Sequence, residues 1–255
     1  MALQPRGAYS QQGVGARTID QAQLDEGLRT YMLRVYNYVG SGLALSGIVA
    51  VLVVMFPPAF EALYSVVQTP RGLATQPTLL GWVVMFAPLG LIFVMQHQFR
   101  ARSATSLKAT YWAFCALFGA SLSYILVVYT GESVTRVFFI TAATFGAMSL
   151  YGYTTKRDLS GLGSFLMMGL IGIIIASVVN IFIGSTALQF AVSVIGVLIF
   201  VGLTAYDTQR IKQDFIEYRM EGGLATKSAV MGAVSLYLNF INLFMLLLHL
   251  FGNRE

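Results

Sequence analysis

The sequence predicts an all-α, polytopic membrane protein of seven spans, and three observations carry that expectation. Apolar residues make up 56% of the 255 and charged residues only 11%, where a soluble domain carries roughly a quarter charged. The apolar residues come in blocks of about 20, the length that crosses a hydrocarbon core, instead of alternating with polar ones. The Lys and Arg residues sit in short segments between those blocks. Scattered in that way, the net charge of +5 suits anionic lipid headgroups rather than a nucleic acid, which calls for one continuous basic face.

The blocks fall at 31–55, 79–97, 109–129, 134–153, 163–184, 187–207 and 229–251. Residues 1–29 hold Gln, Gly and Arg and no apolar core of a secretory signal, so they read as a flexible cytoplasmic tail before a transmembrane domain at 30–255. An odd number of spans puts the termini on opposite sides. Thirteen basic residues (Arg6, Arg17, Arg29, Arg34, Arg100, Arg102, Lys108, Lys156, Arg157, Arg210, Lys212, Arg219 and Lys227) flank one side, and three (Arg71, Arg136 and Arg254) flank the other. The positive-inside rule then places the N-terminus in the cytoplasm and Glu255 outside. The separation of the fifth and sixth spans depends on Gly184-Ser185-Thr186, without which the two blocks would fuse into one stretch far longer than a membrane is thick.

Other punctuation gives lesser expectations. Pro57, Pro58, Pro70 and Gly72 make the connection 57–77 an irregular external loop that caps the outer mouth. Pro88 kinks the second span. Gly161, Gly163, Ser164, Gly169 and Gly172, with Gly40, Ser41, Gly42 and Gly47, mark close helix contacts.

Polar groups at membrane depth point to function. Asp207, in Gly202-Leu203-Thr204-Ala205-Tyr206-Asp207-Thr208-Gln209, costs about 2.5–3.5 kcal/mol at mid-membrane unless it faces protein or water. Two readings stand for it: a group turned inward, or a carboxylate at the cytoplasmic end of the span, snorkelling or paired with Arg210. In the last span Ser235, Asn239, Asn242 and His249 share one helical face. Such a stripe serves either interhelical hydrogen bonds or a lined path. Arg100, at the edge of the second span, is either a positive-inside anchor or the charge that keeps Asp207 ionised.

Enzymatic readings lack their parts. His97 and His249 lie near opposite membrane faces, out of reach of any shared dyad. His-Glu-x-x-His is absent, as are a phosphate-cradling glycine loop and a Lys within the last span for a retinal Schiff base. Cys115 is the single cysteine, so no internal disulfide and no Cys/His metal framework forms. The expectation is a protein that is not an enzyme and carries no resident cofactor.

Tyr206-Asp207-Thr208-Gln209-x-Ile211, followed by Ser235-Leu236-Tyr237-Leu238-Asn239-Phe240-Ile241-Asn242-Leu243-Phe244, resembles the Bax inhibitor-1 family of membrane proteins. The stretch from Arg136 through Tyr151 to Leu159 is similar to its bacterial branch, and the likeness covers about residues 30–251. The resemblance implies a bundle in which six helices wrap the last one, a place in the bacterial cytoplasmic (inner) membrane, and a pH-sensitive calcium leak. It also implies two aspartates that share a proton and are linked to an arginine of the second helix. The first falls on Asp207, but the second aspartate is Asn239 here.

That departure has a physical consequence. Two adjacent carboxylates cannot both ionise cheaply, which makes a proton switch; a carboxylate beside an amide has no such repulsion. Asn239 can donate its NH2 to Asp207 and still offer a carbonyl oxygen, a hard ligand suited to calcium. The expectation is a cation leak centred on Asp207, with weakened pH gating and weakly held calcium on Asp207 and Asn239. Arg100, Asn242 and Tyr237 complete the expected path. The alternative is a non-transporting regulator of a membrane protease or stress-response partner, using the tail 1–29.

Overall fold

The computed structural model describes residues 21–69, 72–101, 103–218 and 222–253. Among them are seven helices long and apolar enough to cross a membrane. The chain runs α1 (Gln21–Met55), α2 (Pro57–Leu63), β1 (Tyr64–Thr69), β2 (Gly72–Pro77), α3 (Leu79–Ala101), α4 (Ala104–Leu122), α5 (Ile125–Val128), α6 (Gly131–Thr154), α7 (Ser160–Ile183), α8 (Thr186–Tyr218) and α9 (Gly222–Phe251). The predicted spans correspond to α1, α3, α4 with α5, α6, α7, α8 and α9.

Local chemistry sets the ends of these helices. Ser103 Oγ accepts from the Ser106 N–H at 3.3 Å, and Thr130 Oγ1 from the Ser133 N–H at 3.3 Å, which caps α4 and α6. The Gly184-Ser185-Thr186 break does turn the chain. Gly184 takes φ 66° and ψ 25°, and its N–H donates to the Asn180 carbonyl at 2.8 Å, a left-handed cap that a side chain would strain. Ser185 then opens α8 by accepting from the Leu188 N–H at 3.2 Å.

Three expectations about where elements begin and end are corrected. The connection 57–77 is not irregular: a short helix with Pro at its start leads into an antiparallel hairpin that pairs Tyr64 with Pro77 and Thr69 with Gly72. The run Tyr64-Ser65-Val66-Val67 favours extended backbone. Its first residue is an anchor, buried with its ring 5.7 Å from that of Tyr124. Secondly, of the tail 1–29, residues 1–20 lie outside the described residues, and from Gln21 the chain is already helical. Leu28 is buried there and Gly27 faces the Phe215 ring of α8. Thirdly, α8 continues to Tyr218, about three turns past Asp207, so that residue lies within a helix rather than at its end.

The last helix forms the core. Two thirds (67%) of the most apolar part of α9 is buried, against 6% for α7. Helix α9 packs on α1, α3, α4, α6 and α8, whereas α7 packs chiefly on α8. Five helices pack closely on α9, while α7 stands back from it against α8 and closes the far side of a shared cleft. The reason lies in α7's composition: apolar on every side, it has no face that prefers protein over lipid.

Small residues set the closest approaches, but not all those expected. A side chain at Gly119 would meet the backbone of Ser46, and one at Gly152 the backbone of Ala205. Gly42 and Gly163 lie under Tyr111 and Tyr206. By contrast, Gly40, Gly47, Gly161 and Gly172 face open space, which corrects their reading as contact points.

Candidate functional site

Helices α8 and α9 run antiparallel, with Gly196 against Leu246 at one end and Ile211 against Gly232 at the other. That register brings Asp207 opposite Asn239 and Arg210 opposite Ser235. Asn239 Nδ2 donates to Asp207 Oδ2 at 2.8 Å. Arg210 Nη2 lies 2.9 Å from Asp207 Oδ1 and donates to Ser235 Oγ at 3.0 Å. The guanidinium carbon is also 5.9 Å from the centre of the Tyr206 ring. Asp207 and Asn239 are only 8% and 5% exposed. A carboxylate at this depth is sustainable because each of its oxygens has a partner, one of them positively charged.

Asp207 turns inward to α9 and, from a position within α8 rather than at its end, also pairs with Arg210. Arg100 lies in the last turn of α3, and its side chain is outside the described residues. Among the described side chains, the charge set against Asp207 is that of Arg210.

Asp207 opens onto a cleft of about 730 Å³ between α3, α7, α8 and α9. Ile92, Leu170 and Ile174 wall it; Asn239, Asn242 and His249 lie along it on α9. From Ser235 to His249 the helix rises about 21 Å, most of the hydrocarbon thickness. Asn242 does not join the Asp207 network, since its Nδ2 donates to the Leu238 carbonyl of its own helix at 2.8 Å. Tyr237 is corrected as a path residue. It is fully buried on the far side of α9, its hydroxyl 2.7 Å from Ser46 Oγ and its ring 5.3 Å from that of Phe114.

Calcium takes six to eight oxygen ligands. No group of three or more His, Cys, Asp or Glu residues is placed to hold a metal ion among the described residues. Asp207 and Asn239 give one carboxylate and one amide, with a guanidinium alongside. Such a set does not fit a resident calcium ion; it fits, at most, transient contact with a passing one.

The rest of the 206–211 run is structural. Tyr206 covers Gly163, Thr208 Oγ1 donates to the Thr204 carbonyl at 2.8 Å and to Ser149 Oγ at 3.4 Å, and Ile211 packs on Gly232. A model of the family described as Inhibitor of apoptosis-promoting Bax1 matches residues 28–255. The chain belongs to the Bax inhibitor-1 family. It is 50% identical to an uncharacterized protein of Caulobacter vibrioides over 94% of its own length and 97% of that protein's. It is 44% identical to the inner membrane protein YbhL of Escherichia coli K12, over 90% and 94% of the two chains. An uncharacterized membrane protein of Streptococcus pyogenes is 39% identical over 91% and 96%.

In this Bax inhibitor-1 chain, Gln209 is a functional residue that spacing alone does not reveal, because its partners come from a distant connection. Gln209 Oε1 accepts from the Leu159 N–H at 2.9 Å, and its Nε2 donates to the Arg157 carbonyl at 2.8 Å. Lys212 adds a bond from Nζ to the Tyr153 carbonyl at 3.3 Å. Together they staple the α6–α7 connection to α8. Within that connection, the Ser160 side chain and then its N–H, which donates to Asp158 Oδ1 at 2.9 Å, hold the Asp158 carboxyl below the usual carboxylate range. Gln209→Leu strands the Leu159 amide and is expected to cost about 1–3 kcal/mol. Limited proteolysis checks it: nicking between Thr154 and Ser160 should quicken while the remaining helices stay intact.

Proposed function

We propose that this Bax inhibitor-1 member is a cation leak of the bacterial cytoplasmic (inner) membrane, with calcium as cargo and Asp207 as the group the ion passes. The observation that carries this reading is the carboxylate lining a long cleft, bonded to the amide of Asn239 at 2.8 Å. Asp207 supplies the charge that draws a dehydrating cation inward, and the Asn239 carbonyl supplies a neutral oxygen beside it. With one carboxylate and one amide, the contact is weak, as a leak requires, because an ion that enters must leave as readily. The amide also lacks a second acid's repulsion, so flux changes little with pH.

The protein does no covalent chemistry in this reading. The α3–α4, α6–α7 and α8–α9 connections face the cytoplasm, following the basic residues that flank them. YbhL's description as an inner membrane protein supports the location.

The test is calcium entry into proteoliposomes across about pH 6–8, the range in which a raised carboxylate pKa would titrate. The expected result is entry above that of protein-free vesicles, with a shallow pH profile. Absence of entry sinks the proposal and turns attention to the regulator of a membrane protease, which deletion of residues 1–20 would probe through partner capture.

A further inference from the structure

Three charged residues share one stripe of α8. Asp207 and Asp214 are seven residues apart, about 20° around the helix, and Arg210 lies between them, about one turn from each. The guanidinium bonds Asp207 at 2.9 Å and Ser235 at 3.0 Å, and its charge acts on Asp214 as well. Its side chain is 43% exposed, whereas that of Asp207 is 11%. Arg210 therefore stands at the mouth of the cleft and Asp207 lies behind it. Asp214 is half-buried and precedes Phe215, whose ring packs on Tyr31 of α1, with Glu217 three residues further along α8.

A guanidinium on Asp207 Oδ1 fills the position that any passing cation has to take. Two positive charges cannot share one carboxylate oxygen at little cost. For the carboxylate to be reached, Arg210 has to leave it, and an anion on the same stripe of the helix holds the departed guanidinium aside for longer than water does. Asp214, four residues further along the helix, is spaced for an i, i+4 pair with Arg210.

We propose that Arg210 is the gate of the cleft, a tethered cation that exchanges between Asp207, where it closes the path, and Asp214, which holds it aside. Asp214 is thus a positioning residue: it acts through Arg210 and sets the fraction of time for which Asp207 is bare. This takes its meaning from the leak reading above, but it is testable without flux.

The experiment places a reporter thiol behind the gate. Asn242→Cys lines the cleft and lies deeper than Asp207's partner Asn239; the native Cys115 is fully buried and serves as background. A membrane-impermeant cationic thiosulfonate reagent, added on the side of the α8–α9 connection, mimics an entering cation. Relative to this parent, Arg210→Gln is expected to speed labelling. Asp214→Asn is expected to slow it about threefold, the scale of a partly exposed ion pair. In the Arg210→Gln background, Asp214→Asn should have no further effect, since the residue it steers is gone.

Equal labelling of the parent and Asp214→Asn overturns the gate. So does equal slowing by Asp214→Asn in both backgrounds, which would make Asp214 a simple attractor of cations. A thiol unreactive in the parent and in Arg210→Gln alike also overturns it. Calcium entry measured on the same vesicles keeps the two readings apart: the labelling pattern without entry leaves the gate standing and removes the leak.

Discussion

Asp207→Ala is expected to lower calcium entry about tenfold or more while leaving the fold intact. The substitution removes the one acidic group among the described residues that line the cleft, and a charge-assisted contact is worth about 1.5–3 kcal/mol, which spans a factor of ten and beyond. The protein should survive the loss because the groups left behind have alternatives. Arg210 is 43% exposed and already bonds Ser235, so it can turn to water. Asn239 loses one bond and no charge is stranded in the core. Asp207→Asn separates charge from shape, since it preserves the side-chain volume and an amide pair with Asn239 yet should be as inactive as alanine. Flux assays on protein of unchanged elution and melting temperature check both. Entry at the native rate in Asp207→Ala would end the assignment of this residue to the path.

The reverse experiment restores an acid rather than removing one. Asn239→Asp puts a second carboxylate within hydrogen-bond distance of Asp207 Oδ2, where the amide now stands at 2.8 Å. Two such groups share a proton, and the pair titrates with one apparent pKa raised toward neutrality. Below that value the pair keeps its proton and a single negative charge, much as the native pair does. Above it the second charge appears and a divalent cation displaces the proton. Entry is therefore expected to rise steeply with pH, by up to about tenfold per unit through the transition, as one proton is exchanged. The native protein should give a shallow profile over the same range. A variant profile as flat as the native one would show that the amide is not what weakens the pH response.

The spans were legible because their signal is local: a run of about 20 apolar residues has few uses other than crossing a bilayer. The meeting of Asp207 and Asn239 was legible in part, since a polar residue at depth has to find protein, and the stripe on the last span offered a partner. Asn242 shares that stripe, yet its amide satisfies its own helix, and spacing alone does not distinguish the two. Tyr237 was open to better reading. Two residues from both Ser235 and Asn239, it points to the opposite side of a 3.6-residue helix, and there it meets Ser46. The pairing of Arg210 was in view as a local i, i+3 contact; its simultaneous bond to Ser235 was not, because that depends on the register between two helices. The hairpin at 64–77 was hidden by its prolines and by the brevity of its strands.

The position of α7 has a bearing on any assay of this protein. Leu170 and Ile174 form a wall of the cleft, yet the helix that bears them leans chiefly on α8, and little of its surface is enclosed by protein. Acyl chains, rather than side chains, supply most of its surroundings, so chain length and lateral pressure help to set how wide the gap stands. Micelles replace those surroundings with a different medium, and the width found in detergent need not be that of the living membrane.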